Sequence, residues 1–164
     1  IISQLVLGIE YIHSKKYLYI DLKPDNIMFI SHNSNKLKFI DFNICDKYID
    51  CYSNFYPNNK NNTRKGNDIF SSRDINLGYR GQRIDDIESI FYILLYLIKD
   101  ELFMEIFNKK NINDIINLKN QIFNKKYTYE YLNLLIIEIQ NTLEIEHKKP
   151  NYINILNIIK TIKI

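Results

Sequence analysis

Four residues early in the chain carry the side chains of one reaction: Asp21, Lys23, Asn26 and Asp41. The first three lie in "YIDLKPDNIMF", and Asp41 follows fifteen residues after Asn26 in "KFIDFN". An asparagine oxygen and a carboxylate are hard ligands suited to Mg2+, with phosphate oxygens completing the shell. Lys23 is a mobile cation able to approach a transferring phosphoryl group. Asp21 is then free to orient a hydroxyl and accept its proton, which completes the division of labour of phosphoryl transfer. Pro24 stiffens the loop by fixing its own φ. Asp25 reads as a loop or solvent residue. On its own, D-x-K-P-x-N is also compatible with a polar surface loop. The "DF" that follows a strand further on makes the pattern specific.

The flanking sequence must position these groups. Residues 1 to 14 place Ile2, Leu5, Ile9 and Ile12 at helical spacing. "NIMFI" (26 to 30) and "KLKFI" (36 to 40) read as two short strands, joined by the turn-forming "SHNSN". If they pair, the ends of the hairpin bring Asn26 close to Asp41. Residues 44 to 67 are polar and aperiodic, a long loop of the kind that is functional or mobile. Residues 85 to 98 carry Ile87, Ile90, Phe91, Leu94, Leu95 and Ile98 on a wide apolar face, which predicts a central buried helix. Further helices are expected over 111 to 124, 129 to 144 and 151 to 162, with Pro150 at or just before the first turn of the last. "NKKNINDIINLKN" is low in complexity and reads equally as a poorly ordered insertion. The fold class is mainly α with a small β-hairpin, in one domain.

Composition narrows the function. The 164 residues suffice for a single core, and 46% hydrophobic with 25% charged residues is globular, not disordered. A net charge of +3 gives little reason for a nucleic-acid partner. Two cysteines, Cys45 and Cys51, and three scattered histidines make neither a metal site nor a disulfide framework. "NNT" at Asn61 is a formal glycosylation sequon without other signs of secretion. No apolar run reaches membrane-spanning length, so the expectation is an intracellular protein, cytoplasmic or nuclear, without a membrane partner.

The motifs together resemble the C-terminal lobe of a protein kinase of the casein kinase I superfamily, with the vaccinia-related kinases as relatives. "YIHSKKYLYIDLKPDNIMF" resembles that family's helix E and catalytic loop. "LKFIDFNICDKY" resembles its metal-binding strand and the start of an activation segment spanning 41 to 78. "FSSRDINLGYRGQRIDDIESIFY" resembles the stretch running into helix F (85 to 98), and "KKPNYINIL" the approach to the final helix. The resemblance implies a catalytic base at Asp21, a phosphate-contacting lysine at Lys23, and metal binding by Asn26 and Asp41. It also implies a buried acid at Asp86 holding the catalytic loop backbone, and spine positions at Tyr19 and Phe42. ATP and Mg2+ are the implied cofactors, and a protein bearing Ser or Thr the implied substrate. Glu88 and Ser89 belong to the family signature without evident chemistry.

Four positions depart from the family. Ile20 stands where arginine is usual, and it cannot make a charge-assisted bond to an activation segment. Asn43 replaces the glycine of DFG, and Asn tolerates left-handed backbone better than most residues. Asn67 replaces a threonine after Gly66, and Ile69 a charged residue. The sequence contains no G-x-G-x-x-G, and with Ile1 at its start it is expected to be a kinase fragment with the N-lobe absent, inactive by itself. The alternative is a pseudokinase, or an isolated lobe acting as scaffold or regulator of another kinase.

Overall fold

The computed structural model describes residues 1–60 and 64–162; the sequon at Asn61 lies outside them. Helix α1 (Ile2–Ser14) leads to strand β1 (Tyr17–Leu18), and a single 3-10 turn (Pro24–Asn26) to strand β2 (Ile27–Phe29). Strands β3 (Leu37–Phe39) and β4 (Asp46–Lys47) follow. After a segment in which the described residues form no helix, the chain is helical from Arg73 on: α2 (Arg73–Asn76), α3 (Arg83–Leu97), α4 (Glu101–Met104) with a further 3-10 turn (Glu105–Asn108), α5 (Ile112–Asn124), α6 (Glu130–Leu143) and α7 (Tyr152–Lys160).

Helix α3 is the axis of the domain. Every residue from Ile84 to Leu95 is buried, and the core around it draws on α1, α5, α6 and α7. Burial on all sides explains why its apolar face looked so wide in sequence. The helix begins two residues earlier than its apolar period suggests. The Asp85 carboxylate accepts from Gln82 N and so stabilises that first turn. The stretch containing "NINDIINLKN" is not an insertion: α5 buries Ile115, Ile116, Leu118, Ile122 and Phe123 in the core. Pro150 is buried just ahead of the N-cap Asn151, whose side-chain oxygen accepts from Asn154 N.

Two small antiparallel pairs do the positioning. β2 and β3 form the expected hairpin, with Ile27 opposite Phe39 and Phe29 opposite Leu37. A second pair, β1 with β4, sets Tyr17 opposite Lys47 and Leu18 opposite Asp46. This pair falls partly within the stretch read as an aperiodic loop. Two-residue strands carry no alternation long enough to detect. Its consequence is topological. The 19–26 loop joins β1 to β2, and the 40–45 loop joins β3 to β4. Pairing β1 with β4 and β2 with β3 holds the two loops side by side. The hairpin in turn lies on α1 at Gly8, where an added Cβ would sit 2.2 Å from a Phe39 ring carbon. Glycine inside a helix costs about 1 kcal/mol relative to alanine, and here it admits that ring.

Candidate active site

The two loops are stitched together by backbone and by one tyrosine. Ile40 N donates to Asn26 O at 3.0 Å, and the fully buried Tyr19 donates its hydroxyl to Ile40 O. Cys45 Sγ contacts Tyr19 O at 3.5 Å. Burial, followed by the Asp86, Asp41 and Asp21 carboxylates, pushes the Cys45 thiol up to about 12. Only the thiolate is nucleophilic, so a rise of about three pH units removes nearly all reactivity at neutral pH. Exposed Cys51 is therefore expected to react with a thiol reagent at pH 8 at least about a hundredfold faster than Cys45. Peptide mass mapping over time would measure this, and equal labelling of both would contradict the raised thiol of the partly buried Cys45.

Asp21, Lys23 and Asn26 form one hydrogen-bonded cluster. Lys23 Nζ donates to Asp21 Oδ2 at 2.8 Å. Asn26 Nδ2 donates to both Asp21 O and Asp21 Oδ2 at 2.9 Å. Two acceptors on one side of the amide fix its orientation, which leaves Asn26 Oδ1 as the free end. Asp21 Oδ1 is buried and has no hydrogen-bond partner among the described residues. A buried carboxylate oxygen without a donor is costly, and functional sites are where such atoms are retained. Gly66, at φ +74°, closes over it: an added Cβ would lie 2.9 Å from Ser71 Oγ, 3.1 Å from Ile20 O and 3.3 Å from Asp21 Oδ1. Only glycine adopts that backbone without strain while leaving room for the carboxylate.

Asp41 is exposed and sits one residue beyond the Ile40–Asn26 hydrogen bond. The left-handed backbone of this loop falls on Asp41, at φ 57°, and not on Asn43. Asn43 N instead donates to Asp41 Oδ1 at 3.3 Å. The conformational demand inferred for position 43 is thus met two residues earlier, by a residue type that tolerates it. Phe42 meets Tyr19 edge-on, with ring centroids 5.3 Å apart, yet remains 52% exposed. With Tyr11, Ile12, Lys15, Tyr17 and Cys45 it lines a mostly apolar cavity of about 340 Å3. Asp25 is exposed.

Asp86, on α3, sits beneath the loop. Its Oδ2 accepts from Tyr19 N and His13 Nε2, and its Oδ1 from Ile20 N, each at 2.8 Å. Ile20 is held at φ 71°, a conformation β-branched residues rarely adopt. Its side chain is buried with Leu18, Tyr48, Ile49 and Ile75 in a small second core. The position without a charged group therefore ties the catalytic-loop candidate to the 44–76 segment by apolar packing. Ile69 likewise packs against the main core. Asn67 turns inward: its Oδ1 accepts from Ile69 N and Phe70 N, not from Lys23.

Two residues acquire roles that spacing did not disclose. Glu88 is 1% exposed and accepts from Arg73 N, Arg73 Nε, Arg73 Nη2 and Tyr92 Oη. It fastens α2 to α3. Lys119 is fully buried, and its Nζ donates to Asp68 O, Ser71 O and Asn76 Oδ1. It fastens the segment bearing Gly66 to α5. A signal for each existed: Glu88 is the charged residue inside the apolar run of α3, and Lys119 lies four residues from Ile115 on the apolar stripe of α5.

The protein kinase domain model matches residues 1–81. The matched stretch contains α1, both strand pairs, the Asp21 cluster, Asp41 and the Gly66 segment, and it supports a kinase-type protein. Asp86, Glu88, Lys119 and helices α3 to α7 lie beyond it.

Proposed function

We propose that this chain is the catalytic half of an ATP-dependent protein serine/threonine kinase of the casein kinase I type. The observation that carries the reading is the Asp21 cluster. One carboxylate oxygen is engaged by Lys23 and Asn26, which fixes the orientation of the carboxylate, and the other has no hydrogen-bond donor among the described residues. Asp21 orients the substrate hydroxyl and takes its proton. Lys23, already on the same carboxylate, carries positive charge to the transferring phosphoryl group. Asn26 Oδ1 and the Asp41 carboxylate suit Mg2+, a hard cation bound by a few protein oxygens plus phosphate and water. When bound, Mg2+ offsets the charge of the nucleotide phosphates.

The test is phosphoryl transfer from Mg-ATP to a Ser/Thr protein by the gene-encoded protein that carries this segment. Asp21→Asn is expected to lower transfer about a thousandfold while leaving Mg-ATP affinity within a few fold. Transfer close to wild type would overturn the role of Asp21. The 164-residue chain alone is expected to show no measurable transfer and weak Mg-ATP binding. The second reading, a scaffold or regulator of another kinase, draws on the exposed apolar side chains Leu7, Tyr11, Met28, Phe29 and Phe42. It predicts that the gene-encoded protein has no transfer activity for Asp21→Asn to remove.

A further inference from the structure

We infer that Tyr152, at the start of α7, is a positioning residue for the 19–21 backbone, acting through the His13 ring and the Asp86 carboxylate. The three side chains are 2%, 2% and 1% exposed, so no water competes for their hydrogen bonds. Tyr152 Oη lies 2.5 Å from His13 Nδ1, and His13 Nε2 lies 2.8 Å from Asp86 Oδ2. The same Oδ2 accepts from Tyr19 N, and the other oxygen of Asp86 from Ile20 N, which precedes Asp21.

The proton positions follow from donor and acceptor counts. An ionised carboxylate only accepts, so His13 Nε2 must carry a hydrogen toward Asp86. The Tyr152 hydroxyl has no other hydrogen-bond partner among the described residues, so its hydrogen is directed to Nδ1, and burial raises the hydroxyl above its ordinary range. The ring is then neutral and held as a single Nε2–H tautomer. Without the Tyr152 hydroxyl, Nδ1 becomes a buried acceptor with no donor. The ring must then rotate, change tautomer or gain a proton, and each outcome alters the bond to the oxygen that holds Tyr19 N.

The sequence around Tyr152 sets its position. Pro150 is buried, Tyr152 N donates to Pro150 O at 3.0 Å, and Asn151 caps the helix. Other groups confirm a closed environment. Tyr48 donates its hydroxyl to His13 O and presents its ring edge-on to the imidazole. Lys149 lies 5.7 Å from the Tyr152 ring. The C-terminal helix, 139 residues from His13 in sequence, is thereby coupled to the loop that bears Asp21. Calling that loop catalytic rests on the kinase reading; the coupling does not.

The experiment is nitrogen-15 NMR on the full 164-residue chain, wild type and Tyr152→Phe. The variant keeps the ring and removes one oxygen. His13 in the wild type is expected as a single Nε2–H species. In Tyr152→Phe its Nδ1 resonance should move, and the Tyr19 and Ile20 amides should exchange with solvent about five- to tenfold faster relative to amides inside α3. Unchanged exchange at Tyr19 and Ile20 in a folded variant overturns the relay. So does a wild-type His13 that populates the Nδ1–H tautomer, a result that stands even if Tyr152→Phe does not fold. None of these readouts needs phosphoryl transfer, so failure here leaves the role of Asp21 intact, and failure of that role leaves the relay intact.

Discussion

Replacing Asp86 with asparagine is expected to destabilise the protein by about 3–5 kcal/mol, measured as the free energy of urea unfolding. The carboxylate accepts three hydrogen bonds from buried donors: Tyr19 N, Ile20 N and His13 Nε2. An asparagine offers one acceptor oxygen and turns an NH2 group toward the remaining donors. At least one buried N–H is left without a partner, and no rotation of the amide serves all three. The left-handed backbone of Ile20 adds to the cost. Conformations of that kind cost on the order of 1–3 kcal/mol and persist where the surroundings hold them. Asp86 is that holder on the backbone side, and the packing of Ile20 against Leu18, Tyr48, Ile49 and Ile75 on the other. A loss below about 1 kcal/mol would mean that the apolar packing alone maintains the loop.

The second large effect is a dependence of stability on pH that disappears in Lys119→Met. Burial pushes the Lys119 amine down to about 7, against 10.5 for an unperturbed lysine; Glu88 and Asp68 oppose the shift, and Arg73 adds to it. Between those two values the unfolded chain binds more protons than the folded one, so stability rises with pH across the window. Below pH 7 the amine is charged in both states, and the cost of burying the charge is present in full. From pH 7 to 8.5 the wild type should gain about 1.5 kcal/mol relative to Lys119→Met. Urea unfolding of both proteins at these two pH values measures the gap. A gap that does not move with pH would show that the carbonyls of Asp68 and Ser71, with the Asn76 side chain, keep the amine charged throughout. Cys45 and the buried tyrosines titrate higher and are common to both proteins.

The helices were legible because their signal repeats. Ile87, Ile90, Phe91, Leu94 and Leu95 announce α3 through spacing that packing then enforces. The β1–β4 pair was not, since two residues per strand leave no period to read. Within the candidate site, Asp21, Lys23 and Asn26 were legible together because five residues of chain suffice to bring them into contact. Asp41 required a hairpin register, and β2 with β3 supplied it. Asp86 was assigned beneath the loop through a resemblance; no local pattern reports a contact across 66 residues of chain. Lys119 and Glu88 stood out as charges on apolar faces, but nothing local says which atoms satisfy them.

What the sequence determined by itself is a set of side chains and the elements that carry them: an aspartate, a lysine and an asparagine on a short loop between a helix and a hairpin, and a second aspartate just after that hairpin. These depend on near neighbours and on periodicity. The tertiary structure decided how that loop is held. Ile20 takes a strained backbone because Asp86 and a small apolar core accept it, and Gly66 closes on Asp21 Oδ1 because Lys119 pins the segment that follows. Such contacts join residues tens of positions apart, and their energies come from burial. Burial exists only once the helices have packed.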